Sequence, residues 1–395
     1  MGAVKQLTRV DALGSEYRRK LIGADEAVKV VRSGDLVHYG LFCGIVRDLD
    51  LALAKRTEEL RDVKVCDTIW AYAEAPAILR ADPDAKHFKY MSTHMSATDR
   101  RMNKEGRCWF IPVQFRENTK LWAENVEKID VAMLQVAPMD RFGNFNLGPQ
   151  VAEYWGIFSK AKHIIAEVNE KQPLTHGIEN SIHISQVDQI VEGSNGALPN
   201  LIAKPATETE KKIAAHIVER ISSGSTLQLG IGGMPNYVGS MIADSDINDL
   251  SVHTEMFVDA YVHLYNAGKI TGNKNTHRGK MVFTFAMGSQ EVYDFLDDNP
   301  MACVGPVDYV NALEVIAAND KTVSVNSCLQ VDLFGQVNAE SAGLQHIGGT
   351  GGQLDYVMGA FKSQGGQSFL CTPSVRQRKD GSLESLIVAR LPEGA

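Results

Sequence analysis

The stretch STLQLGIGGMPNYVGSMIADSDINDLSVHTEMF (225–257) decides how this chain folds. A short apolar run, TLQL (226–229), meets a glycine cluster, Gly230, Gly232 and Gly233. Pro235 then suits a first helical turn, where its missing N–H is no loss. The chain returns as a second apolar run that ends at Glu255. Strand, glycine turn, helix and strand make one βαβ unit. Its strands are parallel, so their C-terminal ends share one edge of the sheet. Gly230 and Glu255 are therefore expected to be neighbours, at the edge where open α/β sheets bind ligands.

The same plan occurs earlier. ADEAVKVVRSGDLVHYG (24–40), IVRDLDLALAKRTEEL (45–60) and VKVCDT (63–68) also read as helix, Ser-Gly turn, strand, glycine loop, helix, strand. Ser33-Gly34 and Gly40 match Ser223-Gly224 and Gly230. Further on, DVAMLQVAPMDRFGNFN (130–146) resembles TVSVNSCLQVDLFGQVN (322–338), with Asp140, Phe142, Gly143 and Asn146 facing Asp332, Phe334, Gly335 and Asn338. The expectation is two related open α/β domains with mainly parallel sheets, residues 1–195 and 200–395, joined near EGSNGALPN (192–200). In the first copy the place of Glu255 falls at about Thr68. That copy keeps the scaffold and lacks the carboxylate.

Composition narrows the function. The net charge is −8, which argues against nucleic acid, since binding phosphates needs a basic face. There is no apolar run of about 18 residues, so no membrane span is expected. The N-terminal residues lack the apolar core of a secretion signal, and Gln6 stands where a myristoylation pattern wants Ser or Thr. The six cysteines, Cys43, Cys66, Cys108, Cys303, Cys328 and Cys371, show no CxxC pair. That spacing predicts reduced thiols in a cytoplasmic protein and no metal site.

The glycines supply the chemistry. Without side chains, Gly230, Gly232 and Gly233 let backbone N–H groups point at a negatively charged oxygen beside a helix start. HIGGTGGQLDYV (346–357) offers a second such turn, with Gly348, Gly349, Gly351 and Gly352 before another helical pattern. Two glycine turns and one carboxylate suggest acyl chemistry, a nucleophile with an oxyanion hole. Neither turn fits the Walker phosphate loop or the dinucleotide fingerprint.

LQLGIGGMPNYV, VHTEMFVD, TFAMGSQEVYDFLDDNP, DLFGQVNAES and GGTGGQLDYV together resemble the acetyl-CoA hydrolase/transferase family of class I CoA-transferases. The nearest likeness is to short-chain transferases using acetate, butyrate or 4-hydroxybutyrate, and it runs from about residue 20 to the end. The resemblance implies Glu255 as the nucleophile. Its carboxylate would attack an acyl-CoA thioester to give a mixed anhydride. The released CoA thiolate would then form a glutamyl-CoA thioester, and a second acid would take the CoA by the reverse route. Oxyanion amides are implied at Ile231/Gly232 and at Gly349, and an acyl pocket at Met287 and Gly288. CoA would be a substrate, with no permanently bound cofactor, and the partners would be acyl-CoA, small carboxylic acids and a second copy in a homodimer or homotetramer. An acyl-CoA hydrolase and an inactive CoA-binding relative are the alternatives.

Two departures from the family bear on specificity and completeness. GLFCG (40–44) carries bulky Leu41, Phe42 and Cys43 where many relatives have small residues and a histidine, so Phe42 and Cys43 join the acyl-pocket residues. Relatives continue past ESLIVARL, so the family's C-terminal end is expected to be lacking. Glu340 reads as a turn residue rather than a second nucleophile. His94 with Arg100, Arg101 and Lys104 reads as a solvated face rather than a CoA-docking patch. His176 and His183 read as structural, and Trp70, Tyr72, Trp109 and Trp122 as core aromatics.

Overall fold

The computed structural model describes residues 9–202 and 204–394. The readings of the N-terminal hexapeptide lie outside the described residues. The first half is built on a sheet of seven parallel strands: β1 (Leu36–Leu41), β2 (Val63–Thr68), β3 (Phe88–Ser92), β4 (Cys108–Phe110), β5 (Ile129–Val136), β6 (Ala161–Val168) and β7 (Gln189–Glu192). Their order is β4-β3-β2-β1-β5-β6-β7. Every residue of β5 is buried, as expected of an inner parallel strand covered on both faces.

The second half repeats the centre of this arrangement. Strands β8 (Thr226–Leu229) and β9 (Ser251–Val252) are followed by β10 (Met256–Phe257), β11 (Met281–Phe283), β12 (Phe285–Ala286), β13 (Ala302–Val304), β14 (Thr322–Ser327) and β15 (Gln367–Cys371). The main sheet runs β9-β8-β14-β15, all parallel. Val37 pairs with Val131 in the first half and Leu227 with Val323 in the second, so the repeat read from sequence is also a repeat of hydrogen-bond register. Likewise Leu36 pairs with Lys64 and Thr226 with Ser251, which places Thr68 at the position of Glu255.

One expectation is refined. Glu255 does not terminate a strand. It sits at a bend between β9 and β10, where the chain leaves β8 and joins β12. The Thr254 N–H donates to Val282 O (2.9 Å), and Glu255 O accepts from Thr284 N (2.9 Å). The backbone thus stays hydrogen-bonded through the bend, and the Glu255 side chain is fixed in direction.

The larger apolar core runs through both halves, from Leu41, Phe42 and Phe115 to Phe257, Phe283 and Phe285. A second core, including Val37, Tyr39, Val65 and Tyr90, covers the other face of the first sheet. Trp70 and Trp122 are core aromatics as expected, but Trp109 is 45% exposed because β4 is the edge strand. His176 contacts Asp298, and His183 contacts Ser185, both near the surface. All six cysteines are buried and unpaired. Among the described residues no helix is long and apolar enough to cross a membrane.

Candidate active site

A cavity of about 640 Å3 lies between the halves. Glu255 opens onto it, together with Gly230, Ile231, Gly348, Gly349, Gly351 and Gly352. The sheet edge of the second half and the distant GGTGG turn therefore do meet. The carboxylate rests against Gly352, the residue before the helix Gln353–Lys362. A Cβ built on Gly352 would overlap Glu255 Oε2, so only glycine fits there. A Cβ on Gly351 would stand 3.4 Å from Oε1.

Asn311, from the turn after the helix Val307–Val310, donates through Nδ2 to Glu255 Oε2 at 2.6 Å. His253, two residues before Glu255, fixes the neighbouring carbonyl: its Nε2 lies 2.8 Å from Val310 O. Burial pushes the His253 imidazole down to about 4, so it is neutral and donates from Nε2. Burial raises Glu255 most, to about 7, with a further upward push from Asp355; Asn311 and the Gly352 amide oppose it. A carboxyl poised near neutrality and held by two donors suits a nucleophile that must be both ionised and weakly solvated.

The first glycine turn divides its work. Gly230 N–H is used within the sheet, donating to Val325 O (2.8 Å). Ile231 is 57% exposed and lines the cavity. Gly232 has φ 112°, a backbone state that favours glycine, and Gly233 starts the helix Gly233–Ala243. Neither Gly232 nor Gly233 is on the cavity wall.

The second turn is seated on the other half of the protein. Met95 N donates to Gly348 O (3.2 Å) and Phe115 N to Thr350 O (2.8 Å). Cβ atoms on Gly348 and Gly349 would each stand 3.0 Å from a ring nitrogen of His94. His94 is thus a cavity residue packed on the glycine turn, not part of a solvated face. Its neighbour Arg100 donates to Ile347 O, so a second member of the expected solvated face is tied to the same turn. Glu340 accepts from Thr350 Oγ1 (2.8 Å) and, through its backbone O, from Ile347 N (2.8 Å). It braces the turn and also borders the cavity.

The apolar end of the cavity is aromatic. Phe42 stacks on Phe285 with centroids 3.7 Å apart and planes 4° apart, and Phe115 meets both edge-on. Met256 and Met287 line the same region. Cys43 and Gly288 lie behind the wall: Cys43 is buried beside Tyr293, and a Cβ on Gly288 would press on Val292 and Asp259. Thr68 borders the cavity and donates to the buried Glu153 (2.6 Å). Asn311, Asp355, Phe115 and Phe285 carried no sequence signal of their own. Among the described residues no cluster of three or more His, Cys, Asp or Glu could hold a metal.

Profiles of the acetyl-CoA hydrolase/transferase N-terminal and C-terminal domains match residues 3–199 and 288–395. The butyryl-CoA:acetate CoA-transferase of Anaerostipes caccae is 45% identical over 383 residues, 96% of this chain and 85% of the relative. The chain belongs to the acetyl-CoA hydrolase/transferase family. A probable butyrate:acetyl-CoA coenzyme A-transferase of Syntrophomonas wolfei is 47% identical over the same 96% of this chain and 85% of its own length. The crystal structure of RipA from Yersinia pestis superposes with a TM-score of 0.86 at 34% identity, covering 97% of this chain and 88% of that one. Glu255 and the first glycine turn fall between the two profile matches, so their placement rests on the family member's own geometry.

Proposed function

We propose that this enzyme, a CoA-transferase with CoA as co-substrate, moves CoA between a short-chain acyl-CoA and a free carboxylate such as acetate or butyrate, using Glu255 as nucleophile. The observation that carries this reading is the Glu255 carboxylate, held by Asn311 at 2.6 Å and pressed on Gly352, facing a cavity bordered by two glycine turns. In the first step Glu255 forms a C–O bond to the acyl carbon while the C–S bond breaks, giving an acyl–glutamyl anhydride and CoA thiolate. The thiolate attacks the glutamyl carbonyl and expels the acid as its carboxylate, leaving a glutamyl-CoA thioester. A second carboxylate reverses both steps, so no net proton or electron is taken up. Amides at Ile231 and Gly349 are assigned to the oxyanions formed on the way.

The Phe42, Phe115 and Phe285 rings support a short apolar acyl group. Names of relatives point the same way: they act on butyrate and acetate. We assign the two halves as domains 1–195 and 200–395. The test is incubation with butyryl-CoA alone, followed by mass analysis of the peptide containing residues 251–257. A CoA thioester on Glu255 is expected. Its absence in a sample that exchanges CoA between acids, or its appearance on Glu340, overturns the assignment. Release of free CoA into water without an acceptor acid would instead mark a hydrolase.

A further inference from the structure

A second cavity, of about 480 Å3, adjoins the first and shares with it Ala71, Tyr72, Ala73, Pro199 and Asn200. Arg47 lines the second cavity from the turn before the helix Asp48–Ala54. Its guanidinium carbon lies over the Tyr72 ring, 4.0 Å from the centroid, a cation–π contact. Among the described residues Arg47 has no ion pair, whereas seven other arginines, among them Arg56 and Arg116, do.

The acids around it are engaged elsewhere. Asp48 Oδ2 accepts from Ser194 N (2.8 Å) and Ser194 Oγ (2.9 Å). Asp50 accepts from Ala77 N (2.6 Å) and Ile78 N (3.2 Å). Glu167 accepts from the backbone of Arg47 (3.0 Å) and Leu49 (2.9 Å) and from Gln135. The Arg47 guanidinium hydrogen-bonds the Tyr72 side chain and its charge also acts on Asp50, which leaves its remaining N–H groups without an ion-pair partner and able to take a carboxylate.

The proposed reaction needs such a ligand there. CoA stays on the enzyme between the half-reactions, while one carboxylate must leave and another must arrive. An acid approaching an ionised Glu255 is repelled unless a cation offsets its charge on the way. We propose that Arg47, lying over Tyr72 at the wall shared by the two cavities, is a carboxylate-binding subsite through which the free acid enters and leaves; this rests on the transferase reading above.

The test separates the acid from the thioester. In Arg47→Gln the KM for acetate should rise at least tenfold, while the KM for butyryl-CoA and the rate of CoA-adduct formation from butyryl-CoA alone stay within twofold of wild type. Arg47→Lys, which keeps the charge and loses the guanidinium, should fall between. An acetate KM within twofold of wild type in Arg47→Gln overturns the proposal, and so does a butyryl-CoA KM that rises in step. Saturation-transfer NMR with butyrate reads binding without turnover: signal in wild type and its loss in a folded Arg47→Gln are expected, and an equal signal in both overturns the subsite. If wild type forms no CoA adduct yet binds butyrate through Arg47, the transferase mechanism fails while the carboxylate subsite stands.

Discussion

The Asn311 amide and the Glu255 carboxylate meet at 2.6 Å although they come from separate elements 56 residues apart. The contact stabilises the ionised form of the glutamate, and a hydrogen bond to a charged group contributes about 1.5–3 kcal/mol. Asn311→Ala should therefore lower kcat/KM for acyl-CoA by roughly 10- to 100-fold. Steady-state kinetics with butyryl-CoA and acetate measure it, and a loss below threefold would remove Asn311 from the site.

The acid–base state of Glu255 sets the pH profile. With its carboxyl at about 7 and the anion as the reacting form, kcat/KM should rise with pH and level off above about 7. In Asn311→Ala the bend should move to higher pH, because a group that favours ionisation is gone. A shift to lower pH would contradict the hydrogen-bond account.

Stability should run the other way. The Glu255 carboxyl is raised in the folded chain from 4.5, so the fold holds its proton more tightly than the unfolded chain does. The stabilisation from that proton is full below about 4.5 and is lost as pH rises through about 7. Glu255→Gln cannot ionise. It should melt at a higher temperature than wild type at pH 8, with the difference closing on acidification toward 4.5. Thermal unfolding of both proteins across that range checks the sign, and Glu255→Gln should lack CoA transfer throughout.

Gly352→Ala tests close approach. The added methyl group would overlap both Glu255 Oε2 and Asn311 Nδ2. Transfer should fall by at least 100-fold with the fold retained, as read by circular dichroism. Gly351→Ala, whose methyl would sit at 3.4 Å from the carboxylate, should cost far less.

The stacked Phe42–Phe285 pair should limit acyl length. Phe285→Leu opens space without removing the apolar wall. The kcat/KM ratio of hexanoyl-CoA to butyryl-CoA should rise about tenfold, in line with ~1–3 kcal/mol per methylene in such pockets. An unchanged ratio would place the acyl chain elsewhere in the cavity.

The sequence carried the parts of the site that backbone topology dictates. A βαβ unit forces the Gly230 turn and Glu255 onto one edge, and the repeat offset survives as strand register at Val37/Val131 and Leu227/Val323. What it did not carry depends on how separate elements pack. Asn311 has no local pattern to mark it, because its meaning comes from the His253–Val310 contact that aims it. Beside Arg100 and Arg101, His94 reads as solvated, since nothing local shows that a glycine turn more than 250 residues later lies on its ring. Phe285 becomes a wall only through its stack on Phe42 across the two halves.

The GGTGG turn, which belongs to the half carrying Glu255, is anchored on Met95 and Phe115 of the other half. Severed in the connector near residue 196, the protein would become a complementation pair. Neither fragment alone would present a finished reaction centre, and turnover on mixing would serve as a titration of their reassembly.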